Sequence, residues 1–399
     1  MNLDAGEQLP SPHLPVSRAA ESLRSSAIRE LLAVTNRRDV ISLAGGLPAA
    51  EGFPVGRITS TMSELLDQQP EVVLQYSETE GYPPLRQEIA RRYHASPEQV
   101  VITNGSQQAI ELALRATTNP GDVVALADPG YVGAIQAISL SQATMLGVSA
   151  DRNGMDVYRL ELDLRSGRRP TIVYVVPELD NPSGATLSLD RRKRMAELSD
   201  TYGFMIIEDD PYSHLRWHGE ALPPIATSCD RVISVGTTSK LLSPGLRIGW
   251  VVAPPDVSRR IALMKQAVDL HTSTLGQHVV YRLLAHSFLE DHVEHLRALY
   301  RGRAAALEAA LHRHLGDGIS FLSPDGGMFI WARLSAPQID TARLLPLAIE
   351  AGVAFVPGSA FAVSAEQRHP AHLRLSFATV PKNLLDEGAR RLADVIATA

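Results

Sequence analysis

The chain has one cysteine, Cys229, and only four lysines among 38 basic residues. A single cysteine excludes any disulfide within the chain and suits a reducing compartment, so a cytoplasmic protein is expected. No run of about 18 apolar residues occurs, so no membrane-spanning helix is expected. Excess positive charge is missing too: the net charge of −6 argues against a general nucleic-acid binder. Internal repeats and low-complexity tracts are absent. What is present is ordinary for a globular protein, with 45% hydrophobic and 21% charged residues. At 399 residues, one large and one small domain are expected. Residues 1–16, MNLDAGEQLPSPHLPV, carry an acidic start and three prolines but no basic n-region or apolar h-region. They read as a flexible arm rather than a signal peptide.

Against this scarcity of lysine, Lys240 stands out. Its stretch, RVISVGTTSKLLSPGLRIGW, opens on the apolar residues 232–235 and reaches Gly236, the pattern of a buried strand entering a turn. Lys240 ends the turn, and after a Ser-Pro-Gly bend comes Arg247. A desolvated lysine can lose its proton and act as a Schiff-base nucleophile, whereas arginine keeps its charge and suits phosphate. Alone, such a lysine is more often a solvated turn residue. Two further strand ends give it company: TIVYVVPELDNPSG runs to Asn181, and FMIIEDDPY runs to Asp209 and Tyr212. Successive ends lie about 30 residues apart, the length of one βα unit. Three neighbouring parallel strands therefore bring Asn181, Asp209 and Lys240 to one carboxyl edge, where open α/β sheets bind ligands. Earlier, VVITNGSQQAIELALRATTNPGD reads as strand, turn and helix. Gly105, Ser106 and Gln107 open that helix, where unpaired N–H groups attract phosphate.

The motifs RSSAIRELL, SLAGGLPA, LQYSETEGYPPLR, TNGSQQAIEL, DPGYVGA, DNPSG, EDDPY, TTSKLLSPGLR and HLRLSFA follow one another from about Arg24 to Phe377. In this order they resemble the fold-type I pyridoxal-phosphate (PLP) enzymes, class I/II aminotransferases, nearest the aminoadipate and kynurenine branch. The resemblance implies an α/β fold: a large PLP-binding domain (56–289) with a mixed, mostly parallel seven-stranded sheet between helices, and a smaller α+β domain (17–55 and 290–399). It also implies a homodimer with a shared site, acting on an amino acid and a 2-oxo acid, without nucleic-acid or membrane partners.

Residue by residue, the resemblance makes Lys240 the Schiff-base lysine and proton shuttle. Asp209, selected over Asp210 by its D-x-x-Y spacing to Tyr212, pairs with the pyridine nitrogen. Tyr212 and Asn181 bond the ring's O3′, and Tyr131 stacks on the ring. Gly105, Ser106, Gln107, Thr237, Ser239 and Arg247 hold the phosphate, which Tyr76 reaches from the neighbouring subunit. Arg374 takes the substrate α-carboxylate in a bidentate fork that lysine cannot reproduce. Gly46 lies against that carboxylate, and Arg29 holds an acidic or polar substrate end. Plainer alternatives stand beside three of these: Tyr76 as a packed aromatic, Arg29 as a surface arginine near Glu30, and Gly46 as a turn residue beside Gly45.

Apolar spacing predicts a helix over residues 17–34 through Leu23, Ile28, Leu31 and Leu32, and another through Leu85, Ile89 and Tyr93. His278, His286, His292 and His295 lie in later helical patterns without a ligand set of metal-binding geometry, so exposed histidines and no metal are expected. Two departures bear on substrate. Glu178 and Asp180 stand where an uncharged or aromatic approach is expected, and Thr238 replaces a common aromatic. The added negative charge would disfavour dicarboxylic substrates, unless both acids face solvent or meet nearby arginines.

Three classes of function remain open to such a chain: a PLP aminotransferase; a PLP enzyme of β- or γ-elimination, replacement or decarboxylative deamination in a specialised pathway; and a regulator with an aminotransferase-like domain. The last needs a DNA-binding domain before residue 17, more than sixteen residues supply. The first is the reading adopted, although scaffold alone does not fix the reaction.

Overall fold

The computed structural model describes residues 16–23, 39–285, 287–364 and 367–398. A short parallel pair joins β1 (Ile41–Ser42) to a strand late in the chain. The large sheet then takes β2 (Val100–Thr103), β3 (Val123–Asp128), β4 (Thr144–Asp151), β5 (Gly154–Met155), β6 (Pro170–Val175), β7 (Met205–Asp209), β8 (Val232–Thr237) and β9 (Gly249–Val252). Its order is β2-β9-β8-β7-β6-β3-β4-β5. The run β8-β7-β6-β3-β4 is parallel, β9 is antiparallel to both its neighbours, and β5 adds a two-residue antiparallel edge to the seven expected strands. A second, four-stranded sheet contains β10 (Ile319–Phe321), β11 (Phe329–Leu334), β13 (Val356–Pro357) and β14 (His372–Ser376), while β12 (Val353–Ala354) pairs with β1.

The central strands read as unbroken apolar runs because both of their faces are covered. In β6, Ile172 and Tyr174 join one core cluster while Val173 and Val175 join another across the sheet. In β7, Ile207 and Ile206 divide in the same way. Helices fill the connections of the large sheet: α1 (Gly105–Thr117) between β2 and β3, α2 (Val132–Leu140) between β3 and β4, α3 (Leu189–Tyr202) between β6 and β7, and α4 (Pro255–Asp269) after β9. Helix α3 shows how local sequence sets length. Ser188 caps its start by accepting from the Arg191 N–H, and Gly203, at φ 81°, ends it in the left-handed conformation that glycine adopts without penalty.

The expected helix through Leu85 and Ile89 spans Pro83–Arg92 with both side chains buried, and Tyr93 caps its end. The expectation for residues 17–34 needs correction. The helix there covers Arg18–Ser22 and stops at Leu23, which is extended at φ −78°, ψ 130°; residues 24–38 lie outside those described. Among the described residues, no helix is long and apolar enough to cross a membrane.

The loop after β6 places the two acids of the charge argument. Glu178 is buried between two arginines, Arg192 of α3 and Arg216, whose Nε donates to Oε2 at 3.1 Å. Arg192 also donates to the backbone carbonyls of Leu187 and Pro177, both at 2.9 Å. Asp180 accepts from the Ser183 hydroxyl at 2.7 Å within its own turn. Burial lifts its carboxyl to about 6, with Ser183 and backbone N–H groups opposing the rise. Neither acid lines the cavity at the carboxyl edge of the large sheet, so neither carboxylate touches that space. Glu178 instead pins the loop that carries Asn181. Replacing it leaves two buried guanidinium groups without their carboxylate, and Glu178→Ala is expected to cost about 3–5 kcal/mol in urea unfolding. A loss under about 1 kcal/mol would show that solvent reaches the pair.

Candidate active site

The cavity at that carboxyl edge has a volume of about 450 Å³ and is lined from both sheets. Strands β6, β7 and β8 are adjacent and parallel, so the chain segments at their ends bring Asn181, Asp209 and Lys240 to its wall. The loop after β1 crosses between the two sheets. Its Gly46 carbonyl accepts from Lys240 Nζ at 3.0 Å, and its Ala44 carbonyl accepts from Arg374 Nη2 at 2.7 Å.

Two buried ionisable groups and a half-buried lysine dominate the cavity. Asp209 accepts the Tyr174 hydroxyl on Oδ2 at 2.7 Å, but its other oxygen, Oδ1, is buried and has no partner. Burial pushes its carboxyl up to about 7, further raised by Asp210 and Asp180 and opposed by the Tyr174 hydrogen bond. Arg374, on β14, is 1% exposed. It donates through Nη1 to Asn181 Oδ1 at 2.9 Å, and its guanidinium lies 4.2 Å from the Phe329 ring centroid. Its Nε is buried without a partner, and among the described residues no carboxylate pairs with it. Burial draws its pKa down to about 10, which still leaves it charged at neutral pH. Lys240 is brought down to about 8, by burial first and then by Arg374 and Arg247. An interior that holds charges with free hydrogen-bonding atoms is arranged for a charged guest.

The remaining wall suits an anion. Helix α1 begins at Gly105 with no side-chain cap on its first N–H groups, and Ser106 and Gln107 line the cavity. Gly105 sits at φ +75°, and a Cβ there would fall 2.5 Å from Arg247 Nη2. Glycine thus lets the guanidinium approach the helix start, where Arg247 donates to the Asn104 carbonyl at 2.9 Å. The Thr237 and Ser239 hydroxyls stand 2.9 Å apart beside it. Helix dipole, bare N–H groups, hydroxyls and arginine together could hold an anion such as a phosphate.

Tyr131 precedes α2, and burial pushes its hydroxyl up to about 12. Gln107 spends its amide on the Gly133 carbonyl at 2.8 Å, joining α1 to α2. Tyr212 is buried edge-on to Phe329, with its hydroxyl raised chiefly by burial. Of the sequence-derived site residues, Gly46, Ser106, Gln107, Tyr131, Asn181, Asp209, Tyr212, Thr237, Ser239, Lys240, Arg247 and Arg374 all line the cavity, while Gly105 lies behind it against Arg247. Tyr76 does not line it: the residue is 77% exposed, edge-on to His271. Arg29 lies outside the described residues. Thr238 faces inward and donates to the Ile248 carbonyl at 3.2 Å, away from the cavity.

The sequence reading missed Leu47, Val132, Gln136 and Tyr174. Gln136 carried a signal, a lone amide in the otherwise apolar start of α2. The histidine expectation also needs correction at His278, which is buried and stacked on Tyr82 with ring centroids 3.7 Å apart. Among the described residues, no group of three or more potential metal ligands occurs. Lys240 offers a direct check: in the apoprotein, pulse labelling of its amine followed by mass spectrometry should reach half its maximum near pH 8. A midpoint near pH 10, about that of an unperturbed lysine, would show that burial does not act on it.

An unpaired buried carboxylate oxygen, a bare helix start with arginine and hydroxyls, and a partly neutral amine fit PLP, which carries a pyridine nitrogen, a phosphate and an aldehyde. Comparison with known proteins agrees. Residues 38–392 match the family model of aminotransferase class I and II. The chain is 40% identical to an aromatic-amino-acid aminotransferase of Thermococcus litoralis, over 98% of this chain and 97% of the relative. The kynurenine aminotransferase of Pyrococcus horikoshii, solved in complex with PMP, superposes with a TM-score of 0.91 at 38% identity, covering 96% of this chain and 97% of that one. LysN, the α-aminoadipate aminotransferase of Thermus thermophilus, solved with N-(5′-phosphopyridoxyl)-L-leucine, gives 0.90 at 37% identity, with the same two coverages of 96% and 97%. Fold, cavity and relatives together make this chain a member of the class I and II aminotransferases, a PLP-dependent transaminase.

Proposed function

We propose that the transamination runs through Lys240, with Asp209, Tyr212 and Asn181 tuning the cofactor ring and Arg374 gripping the substrate. The observation that carries this reading is the pair of half-satisfied buried charges, Asp209 and Arg374, facing one cavity. When bound, PLP supplies the electron sink that lets a substrate Cα–H ionise.

The chain's own residues do the rest. Asp209 Oδ1 would accept from the cofactor's pyridinium N–H, a cation that would offset the burial that raises its carboxyl. Tyr174 holds the other oxygen and so fixes the carboxylate's orientation. Arg374 receives the substrate α-carboxylate, and Phe329 beneath it keeps the guanidinium plane in place. Lys240 Nζ removes the proton from the substrate Cα and returns one to Cα in the reverse half. Its lowered pKa favours this exchange near neutral pH.

Among the described residues, the charged ones that line the cavity are Asp209, Lys240, Arg247 and Arg374. Each is engaged by the cofactor or the substrate α-carboxylate, which leaves Leu47, Val132 and Gln136 for the substrate side chain. A large uncharged amino acid suits that group, in keeping with the aromatic-amino-acid and kynurenine relatives. The active form is a homodimer. Exposed Val72, Leu74, Tyr76 and Leu270 give it an apolar contact, and Tyr76 completes the phosphate site of the second copy. Domain limits of 17–55 with 290–399, and 56–289, agree with the second sheet and the β1–β12 pair lying in the first set and the large sheet in the second. A cytoplasmic location suits the free thiol of Cys229.

Borohydride reduction of the purified enzyme should leave the cofactor's mass on the peptide bearing Lys240, and Lys240→Ala should abolish both the label and turnover. Label on another lysine, or turnover surviving in Lys240→Ala, would overturn the assignment. Arg374→Lys should raise KM for amino donors at least about thirtyfold, the loss typical of a broken buried charge pair.

A further inference from the structure

Asparagine is among the best residues for capping a helix start, because its side-chain oxygen accepts from the N–H groups two and three positions on. Asn104 occupies the cap position of α1, yet its side chain makes no capping bond. Its Nδ2 instead donates to Asp269 Oδ2 at 2.5 Å, across to the last residue of α4. Asp269 is itself held by Lys265, one helical turn earlier and 0% exposed, whose Nζ lies 2.9 Å from Oδ1 and 2.8 Å from Oδ2. Gln108 closes the arrangement. Its Nε2 donates to Asp269 at 2.8 Å, and its Oε1 accepts from Lys265 at 3.0 Å and from the Asn104 backbone N–H at 2.8 Å.

A fully buried lysine serving a single surface turn would be a costly arrangement. Its effect here is specific: the amide best placed to cap α1 is turned away from it. We infer that the Lys265–Asp269 pair holds the Asn104 side chain off the start of α1, so that the Ser106 and Gln107 N–H groups stay free for the cofactor's phosphate. This rests on reading that helix start as the phosphate site. Lys265 and Asp269 are then positioning residues, acting through Asn104. The carboxylate's charge near the phosphate is offset by the lysine, which touches both of its oxygens.

The test compares apoprotein affinity for PLP with affinity for pyridoxal, which lacks the phosphate, by equilibrium titration of the full chain. Lys265→Met with Asp269→Leu removes both charges together, so no buried ion is orphaned. This double variant should bind PLP about tenfold more weakly, the worth of one helix cap, with pyridoxal binding unaltered. Adding Asn104→Ala should restore PLP affinity to within about threefold of the parent, because no cap is left to compete. A second arm keeps the pair intact. Asn104→Ser introduces a good cap that is too short to reach Asp269, so it should bind PLP more weakly than Asn104→Ala. Failure of Asn104→Ala to restore affinity, an equal loss for pyridoxal, or Asn104→Ala binding no better than Asn104→Ser would each overturn the inference and leave the pair a structural staple. Equal affinity of the parent for PLP and pyridoxal would overturn the phosphate reading itself.

Discussion

A carboxylate in the interior with one oxygen bonded and the other bare is an unstable arrangement by itself, and the geometry of this site depends on it. Asp209 is reached by Tyr174 only because β6 and β7 are neighbours in parallel register, with Tyr174 opposite Ile207. Asp209 lies two residues beyond Ile207, on the same face of the sheet. The free oxygen therefore opens onto the cavity, while the hydroxyl fixes the plane of the carboxylate. The strand order of the large sheet and the orientation of one carboxyl group are thus two aspects of a single constraint.

Opposite it, the second sheet contributes the buried guanidinium of Arg374, which meets no carboxylate among the described residues. The loop after β1 connects these two halves, with carbonyls bonded to Lys240 on one side and Arg374 on the other. Because Gly46 and Ala44 supply backbone rather than side-chain groups, the loop spans the cavity wall without filling it. At the start of α1, close approach is obtained in the same way, by omitting a Cβ at Gly105 and at Gly249. A Cβ at Gly249 would stand 2.6 Å from the Gly105 backbone.

The parts of this site legible in the sequence were those whose signals are local. Lys240, Asp209 and Asn181 each end an apolar run, and Gly105 to Gln107 open a helix, so period and punctuation were enough to locate them. Tyr174 was not legible, since a tyrosine inside an apolar strand reads as core and its partner is known only once strand order is known. Glu178 misled for a related reason: its formal charge was visible, but Arg192 and Arg216, which neutralise it, lie in other elements. The Lys265–Asp269 pair reads as an ordinary i, i+4 ion pair on α4. Its reach to Asn104 depends on packing between helices far apart in the chain. His278 followed helical spacing like its neighbours, and only stacking on Tyr82 takes it inside. Tyr76 is a different case: it stands exposed against His271, and the role expected of it toward a second copy leaves no mark within one chain.

The unpaired buried groups at the cavity also make the cofactor part of the folded state. A ligand that binds the native protein and not the unfolded chain shifts the folding equilibrium by mass action. Among the described residues, Asp209 Oδ1 and Arg374 Nε have no partner, and a bound cofactor and substrate offset the cost of burying them. Bound PLP therefore contributes to the stability of the fold as well as to the reaction.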